Sequence, residues 1–163
     1  MADDADEIAA LHAESWRSAY RGFLPEAFLA GPIFDERREL WVSRMRAPDP
    51  HRRGVFKAVS GRSLAGFACV LLDADPSWGA LLDNLHVKPA MKRQGIGRQL
   101  FEHVRWWVET TVPGTPVHLT VIEANVDARR FYERMGGTLV ERELVEVIPG
   151  TQLVVLRYRW ESP

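Results

Sequence analysis

The sequence has little cysteine, little net charge and no long apolar run. Its 163 residues contain one cysteine, Cys69, so no internal disulfide can form, which is typical of a reducing compartment. The formal net charge of −1 argues against nucleic acid or a membrane surface as a partner. The acidic start, residues 1–4, precedes no apolar run long enough for a secretory signal or a membrane span. We therefore expect a cytoplasmic protein without a membrane anchor.

The sequence does have a large apolar content. Hydrophobic residues make up 46% of the chain, which is enough for the core of one domain over residues 1–163. Cys69 lies within an apolar run over 64–72. Buried cysteines behave mostly as small hydrophobic residues, so we interpret Cys69 as a core residue rather than a catalytic thiol.

Hydrophobic periodicity and turn residues predict a layered α/β domain. The first helix ends near Tyr20, and Asp4 with Glu7 suggests a capping box at its start. The further predicted elements are helices near 27–30, 35–45, 96–110 and 125–135, and strands at 55–59, 64–72, 80–87, 117–122, 138–148 and 151–158. A right-handed crossover would place the strands at 80–87 and 117–122 side by side. The first two and the last two strands are expected to form hairpins.

A basic turn with two glycines joins a predicted strand to a predicted helix. Its sequence is Lys92-Arg93-Gln94-Gly95-Ile96-Gly97-Arg98. The N–H groups in the first turn of a helix have no intrahelical partners and lie at the positive end of the helix dipole, so they can bind phosphate. The turn lacks the Gly-Lys-Ser/Thr ending of a P-loop and the third glycine of a dinucleotide fingerprint. It therefore predicts a site for a small polyanion whose identity the turn alone leaves open.

A second segment, which follows a later strand, narrows that interpretation. In order, it contains Asn125, Ala128, Phe131, Tyr132, Glu133, Gly136 and Gly137. Together with the glycine turn, this segment resembles the acetyl-CoA site of the GNAT superfamily of N-acetyltransferases. That site combines a Q/R-x-x-G-x-G/A turn with a later N-x-x-A-x-x-[FL]-Y segment. Lys92 stands where arginine or glutamine is usual, which keeps the positive charge but loses the planar guanidinium.

The resemblance implies a fold and a co-substrate. The fold is a single domain with a mixed, mainly antiparallel sheet, a central parallel pair of strands that splays at the cofactor site, and helices on both faces. The family's first strand, before the first helix, is expected to be shortened or missing. The co-substrate is acetyl-CoA, and no metal is expected. The residues predicted to bind acetyl-CoA are Leu85, His86, Val87, Lys92, Arg93, Gln94, Gly95, Ile96, Gly97, Arg98, Asn125 and Tyr132.

The resemblance also implies a catalytic tyrosine. The family's tyrosine that matches Tyr132 protonates the departing CoA thiolate as a general acid. The alternative is that Tyr132 is only an aromatic core residue beside Phe131. Asn125 has two compatible roles, because asparagine at this position caps the following helix and, in the family, contacts the cofactor.

The general base is less clearly marked. An amine arrives mostly as ammonium and has to lose a proton before it attacks a thioester, so a carboxylate, a histidine or a water chain is expected near the splayed strands. Asp83 is the first candidate, followed by Glu123 and His86. Each also has a structural interpretation: Asp83 and His86 as solvated strand or turn residues, and Glu123 as the partner of an arginine. The carboxylate used by the histone-modifying branch of the family falls on Leu81 here.

The amine acceptor is expected to contact the first two helices and the loop between them. Trp16, Tyr20 and Phe23, together with Asp83, are predicted to bind it, although amphipathic spacing alone also explains Trp16 and Tyr20 as core residues. The sequence leaves open whether the acceptor is a small molecule or a peptide. The alternative from another functional class is a CoA-sensing or partner-binding domain without catalysis. Exposed edge strands make a homodimer plausible.

Overall fold

A six-stranded sheet forms the centre of the computed structural model, which describes residues 2–46, 49 and 52–162. In chain order the elements are α1 (Ala2–Ala19), α2 (Glu26–Ala30), α3 (Ile33–Arg46), β1 (Arg53–Ser60), β2 (Ser63–Asp75), β3 (Gly79–Val87), a 3₁₀ turn (Pro89–Met91), α4 (Ile96–Thr111), β4 (Val117–Ile122), α5 (Val126–Arg134), β5 (Thr138–Ile148) and β6 (Thr151–Trp160). Each predicted helix and strand is present, with shifts of a few residues at its ends. None of the helices in the described ranges combines the length and apolarity needed to cross a bilayer.

The strands lie in the order β1-β2-β3-β4-β6-β5. All neighbouring pairs are antiparallel except β3 and β4, which are parallel. This arrangement confirms the predicted mixed, mainly antiparallel sheet and both predicted hairpins. The closing hairpin enters the sheet through β6, which pairs with β4, so that β1 and β5 form the two edges within the described chain.

The parallel pair is joined only where its two strands begin. Ala80 is aligned with Val117 and Leu81 with His118, and no further pairing is seen between β3 and β4. Since β3 continues to Val87, most of this strand faces β4 without bonding to it. The predicted splay of the central pair is therefore present.

A β-bulge in β3 begins where the strands part. Leu82 pairs with Val70 of β2, while Asn84 pairs with the adjacent Cys69, which leaves Asp83 as the extra residue. A bulge bends its strand and increases the local twist. The bend turns the second half of β3 away from β4 and opens a wedge between them.

Helices cover both faces of the sheet, as predicted. On one face, α4 packs against β1, β2 and β3, and α4 and α5 share a core with the sheet that includes Phe101, Leu119 and Trp160. On the other face, α1 and α3 pack against β2 through a second core that includes Trp41 and Cys69. Cys69 is buried, and burial raises the pKa of its thiol to about 12. The thiol is thus protonated and inert at neutral pH, in agreement with a core role.

The predicted capping box of the first helix is wrong. Because α1 begins at Ala2, Asp4 and Glu7 lie inside the helix instead of flanking its start. Both carboxylates find partners on the β1–β2 hairpin: the N–H of Leu64 donates to Glu7 Oε1 over 2.9 Å, and Lys57 Nζ donates to Asp4 Oδ1 over 2.5 Å. These carboxylates tie α1 to the sheet.

Candidate functional site

A cavity of about 1110 Å³ lies where β3 and β4 diverge. Its size exceeds the roughly 300–1,000 Å³ of pockets for drug-sized ligands. Its walls include side chains of α4 and α5 on one face of the sheet and of α1 and α3 on the other. The cavity therefore passes through the wedge and connects the two faces.

The start of α4 forms one end of this cavity. Gly95 is the N-cap of α4 with φ of 83°, and no side chain caps the helix. Two residues earlier, Arg93 has φ of 63° and is the single non-glycine residue with positive φ in the described chain. Left-handed residues in a turn can gather backbone N–H groups into a concave anion site. Because the first N–H groups of α4 also lack intrahelical partners, this end of the cavity suits a phosphate or diphosphate.

The free edge of β3 forms the middle of the cavity. Leu85, His86 and Val87 line it, while their opposite edge pairs with β2. Backbone N–H and C=O groups on an unpaired strand edge can bind an extended ligand that carries amides. The edge of β3 that faces β4 is therefore unpaired at Leu85 and Val87, as the family resemblance implies for a strand that binds the cofactor.

The second motif lines the same cavity from α5. Asn125 caps this helix, as predicted, because its Oδ1 accepts a hydrogen bond from the N–H of Ala128 at 3.3 Å. Tyr132 is buried, and its ring packs against Phe131 and Trp160. The described residues provide no hydrogen-bond partner for the Tyr132 hydroxyl.

Electrostatics keeps the Tyr132 hydroxyl protonated. Burial, with a smaller contribution from the nearby Tyr20, raises the pKa of Tyr132 above its ordinary value of 10.0. Tyr20 is also a cavity residue, and burial raises its pKa as well. A phenol whose pKa is raised carries its proton at neutral pH, so Tyr132 is able to donate a hydrogen bond or a proton into the cavity.

Asp83 lies in the cavity wall, where the bulge places it beside α3. Arg44 Nη1 lies 2.8 Å from Asp83 Oδ2, and the side-chain amide of Asn84 donates to the same oxygen. These donors orient the carboxylate. An oriented carboxylate beside a cavity can accept a proton or hold an ammonium group.

The other two candidate bases have different surroundings. His86 lines the cavity and is half-buried, and burial, together with Lys92 and Arg37, lowers its pKa to about 3. An imidazole with such a pKa is a weak base at neutral pH. Glu123 does not line the cavity; Arg142 donates to both of its carboxylate oxygens, at 2.9 and 3.0 Å. Glu123 therefore has the structural environment of an ion-paired surface carboxylate.

The structure brings together most, but not all, of the residues predicted for the site. Trp16 and Tyr20 line the cavity and meet edge to face at 5.0 Å between ring centroids. Phe23 and Gln94 are not among the lining residues. Phe23 lies in the turn that follows α1 and is 37% exposed.

Four polar residues on the α1–α3 wall of the cavity were not predicted. His12 and Ser15 lie one turn apart on α1, and Arg37 and Arg44 lie two turns apart on α3. The signal available in the sequence was the spacing of Arg37, Leu40 and Arg44, which places all three on one face of a helix. Nothing in that spacing shows that this face meets β3.

No group of three or more histidine, cysteine, aspartate or glutamate side chains able to hold a metal ion occurs within the described ranges. The charged groups that line the cavity instead include cations at both of its ends, with Lys92 and Arg93 near α4 and Arg37 and Arg44 on α3. Positive charge at both ends favours an anionic ligand there.

The uncapped start of α4, the splayed parallel pair and the buried tyrosine at their junction together define an acetyltransferase fold of the GNAT type. The chain belongs to the GNAT acetyltransferase family, whose model matches residues 8–137. The predicted family is thereby confirmed. No match is found among curated proteins.

Solved structures show the same fold. The PaiA N-acetyltransferase from Thermoplasma acidophilum, in complex with coenzyme A, has a TM-score of 0.75 at 20% identity, with 98% of this chain and 94% of that chain covered. The smu.2055 protein from Streptococcus mutans has a TM-score of 0.73 at 18% identity, with 100% of this chain and 96% of that chain covered. The ribosomal-protein-S18-alanine N-acetyltransferase from Escherichia coli has a TM-score of 0.64 at 21% identity, with 94% of this chain and 86% of that chain covered. At these identities the similarity describes the fold.

Proposed function

We propose that this protein is an acetyl-CoA-dependent N-acetyltransferase that transfers an acetyl group to a primary amine of a small molecule or peptide. The observation that carries the proposal is the single cavity that joins the start of α4 to the α1–α3 face through the splayed strands. Such a cavity lets a long thioester enter from one face and an amine from the other. The two reactants then meet in a ternary complex beside Tyr132 and Asp83.

The described residues fit CoA. Its diphosphate would bind the backbone N–H groups at the start of α4, with Lys92 and Arg93 adding positive charge. Arg98 is also near, although its guanidinium is partly engaged with Glu102 over 2.7 Å. The pantetheine amides would bind the free edge of β3, and the thioester would then lie near Tyr132. CoA supplies an activated acyl group, so no covalent enzyme intermediate is needed.

The chemistry balances with the side chains present. The amine nitrogen attacks the thioester carbonyl carbon, a C–N bond forms and the C–S bond breaks. Before the attack the ammonium group gives one proton to Asp83, directly or through water, and Asp83 later releases it to solvent. Tyr132 gives its proton to the departing thiolate, and the second proton that the amine loses restores Tyr132. Each turnover therefore yields one N-acetylated amine, one CoA thiol and one proton.

Acceptor-dependent thiol release tests the function. Purified protein with acetyl-CoA and a broad panel of primary amines should release CoA thiol only when a suitable amine is present, and mass spectrometry should find the same amount of N-acetylated product. Calorimetric titration should show CoA binding in the absence of any amine. Binding of CoA without acetylated product from any amine would contradict the transferase and support the sensing alternative.

Gly95→Ala should weaken CoA binding by about tenfold, equivalent to about 1.4 kcal/mol. A Cβ at Gly95 meets no atom within 4 Å, yet φ of 83° is unfavourable for any L residue. The turn would relax and misalign the N–H groups of α4, and the free energy of unfolding should fall by about 1–2 kcal/mol. Calorimetry with CoA and urea unfolding measure the two effects.

Gly61→Ala provides a matched control in the β1–β2 hairpin. Gly61 also has positive φ, 61°, and also has no atom within 4 Å of an added Cβ. This variant should lose a similar amount of stability and keep the wild-type dissociation constant for CoA. Equal CoA affinities in both variants would show that the Gly95 turn does not contact the diphosphate.

A further inference from the structure

Buried polar atoms without hydrogen-bond partners are concentrated on the α1–α3 wall of the cavity. Six such side-chain atoms occur among the described residues, and three of them belong to His12, Ser15 and Arg37. All three residues line the cavity. A buried polar group without a partner costs about 1–3 kcal/mol. Three of them on one wall of a ligand cavity point to a ligand group that pairs with them.

The histidine on this wall presents a donor. Trp41 Nε1 donates to His12 Nδ1 over 3.1 Å, so the proton of the neutral ring lies on Nε2, the atom without a partner. Burial, with the nearby Arg37 and Arg44, lowers the pKa of His12, which keeps the ring neutral. His12 is 2% exposed and Ser15, one turn along α1, is 5% exposed. Nε2–H and the Ser15 hydroxyl are thus two fixed hydrogen-bond donors.

Arg37 adds a positive charge that Glu36 and, at longer range, Asp83 neutralise only in part. Its side chain is 19% exposed, and its ion pair with exposed Glu36 spans 3.6 Å, longer than a normal N–H···O bond. The guanidinium lies over the Trp16 ring, 4.7 Å from the centroid. Burial lowers its pKa, as expected for a poorly neutralised cation. Arg44, by contrast, is held by Asp83 at 2.8 Å.

We propose that the acceptor carries an anionic group, a carboxylate or a phosphate, beside its primary amine, and that Arg37, His12 Nε2–H and the Ser15 hydroxyl bind that group. The inference rests on the transferase function proposed above. With the anion on the α1–α3 wall, the ammonium end of the acceptor lies toward Asp83, the paired carboxylate at the bulge. Amino acids and aminoalkyl phosphates have this chemistry. Polyamines do not, because Arg37 and Arg44 repel a second cation.

A matched set of acceptors tests the chemistry. It contains ω-amino carboxylates of increasing length, aminoalkyl phosphonates, and alkylamines and diamines of the same lengths, together with α-amino acids and their amides. The wild-type kcat/KM for the best anionic amine should exceed that of the matched alkylamine and diamine by about 10- to 100-fold, the range of a charge-assisted hydrogen bond. The carboxylate and phosphonate series show which anion the site takes.

Arg37→Gln should raise KM for the best anionic amine by about 10- to 100-fold, with a smaller change in kcat. The preference for anionic over neutral amines should fall by a similar factor, and Arg37→Lys should restore part of it. CoA affinity should not change, because Arg37 lies at the other end of the cavity. Arg46→Gln is the control, since Arg46 is exposed at the end of the same helix and does not line the cavity. It should keep the wild-type preference.

The outcomes separate this inference from the transferase function. Equal kcat/KM values for anionic, neutral and cationic amines would overturn the proposed anionic subsite but would still support the transferase function. If no amine is acetylated, calorimetric titration of amino carboxylates and phosphonates into the CoA-bound protein decides the subsite. Binding that Arg37→Gln abolishes supports it, and absence of binding to the wild type overturns it.

Discussion

Tyr132→Phe is expected to lower kcat about 100- to 1,000-fold, within the usual range for loss of a general acid, while CoA affinity stays close to wild type. The substitution removes one hydroxyl and keeps the ring that packs against Phe131 and Trp160. The expected loss therefore reflects proton donation to the thiolate and not a disturbed core. Steady-state kinetics with saturating amine and calorimetry with CoA measure the two quantities.

Tyr158→Phe is the matched control for Tyr132→Phe. Tyr158 is a second buried tyrosine, 6.4 Å from Tyr132 between ring centroids, and it does not line the cavity. Its hydroxyl donates to Glu133 Oε1 over 2.6 Å, so its loss should reduce stability by about 1 kcal/mol with little effect on kcat. Equal kcat values for Tyr132→Phe and the wild type would contradict the role of Tyr132 as a general acid.

The pH profile gives an independent readout of the same acid. The raised pKa of Tyr132 means that its proton is present below the ordinary value of 10.0 and is lost only above it. The wild-type kcat should therefore show no alkaline loss from tyrosine ionisation up to about pH 10. An alkaline loss with a midpoint well below pH 10 that disappears in Tyr132→Phe would contradict the surroundings described for this residue.

The parts of the site that were predicted from sequence are those whose structure is local. Gly95 at a helix start and Asn125 three residues before Ala128 are constraints within a few residues, so a motif can carry them. The fold class followed from the same two motifs and from the order of the helices and strands. These features describe the half of the cavity that would bind CoA.

The other half depends on contacts that no local pattern contains. His12, Arg37 and Asp83 come from α1, α3 and β3, and they share one cavity because two helices cross the end of a splayed strand. The prediction for Phe23 used proximity in sequence to Tyr20, whereas Phe23 lies in the turn after α1 and does not line the cavity. The sequence ranked Asp83 before Glu123 as a base candidate, but only the structure shows that Arg142 binds Glu123.

The β-bulge links the two halves of the site. By inserting Asp83 into β3, it opens the wedge that a thioester would occupy and also places a carboxylate at the wedge. The residues of β3 that pack on the α4 side are Ala80 and Leu82 before the bulge and Leu85 and Val87 after it, so the alternation shifts by one residue at Asp83. The adjacent apolar residues 81 and 82 hide this shift in so short a sequence.

Asp83→Asn is expected to lower kcat/KM about 100-fold near pH 7, if Asp83 accepts the ammonium proton. The factor should shrink as the pH approaches the pKa of the amine, about 10 for an alkyl ammonium group, because the acceptor is then already deprotonated and needs no base. A ratio of wild type to variant measured from pH 6.5 to 10 tests this dependence. A proton-transfer role predicts that the ratio of kcat at saturating amine falls with rising pH, whereas a role in holding the ammonium group changes KM.

A structural role for Asp83 predicts a different result. Asp83→Asn removes the charge that Arg44 binds at 2.8 Å, so stability should fall by about 1–3 kcal/mol in either case. Asp73→Asn is the control for removal of an ion pair away from the cavity: Asp73 pairs with Arg52 at the same distance, 2.8 Å, but on an exposed part of β2, so its loss should cost at most about 1 kcal/mol. If the kcat/KM ratio for Asp83→Asn stays constant across the pH range, Asp83 positions Arg44 and the acceptor, and the proton leaves by another route.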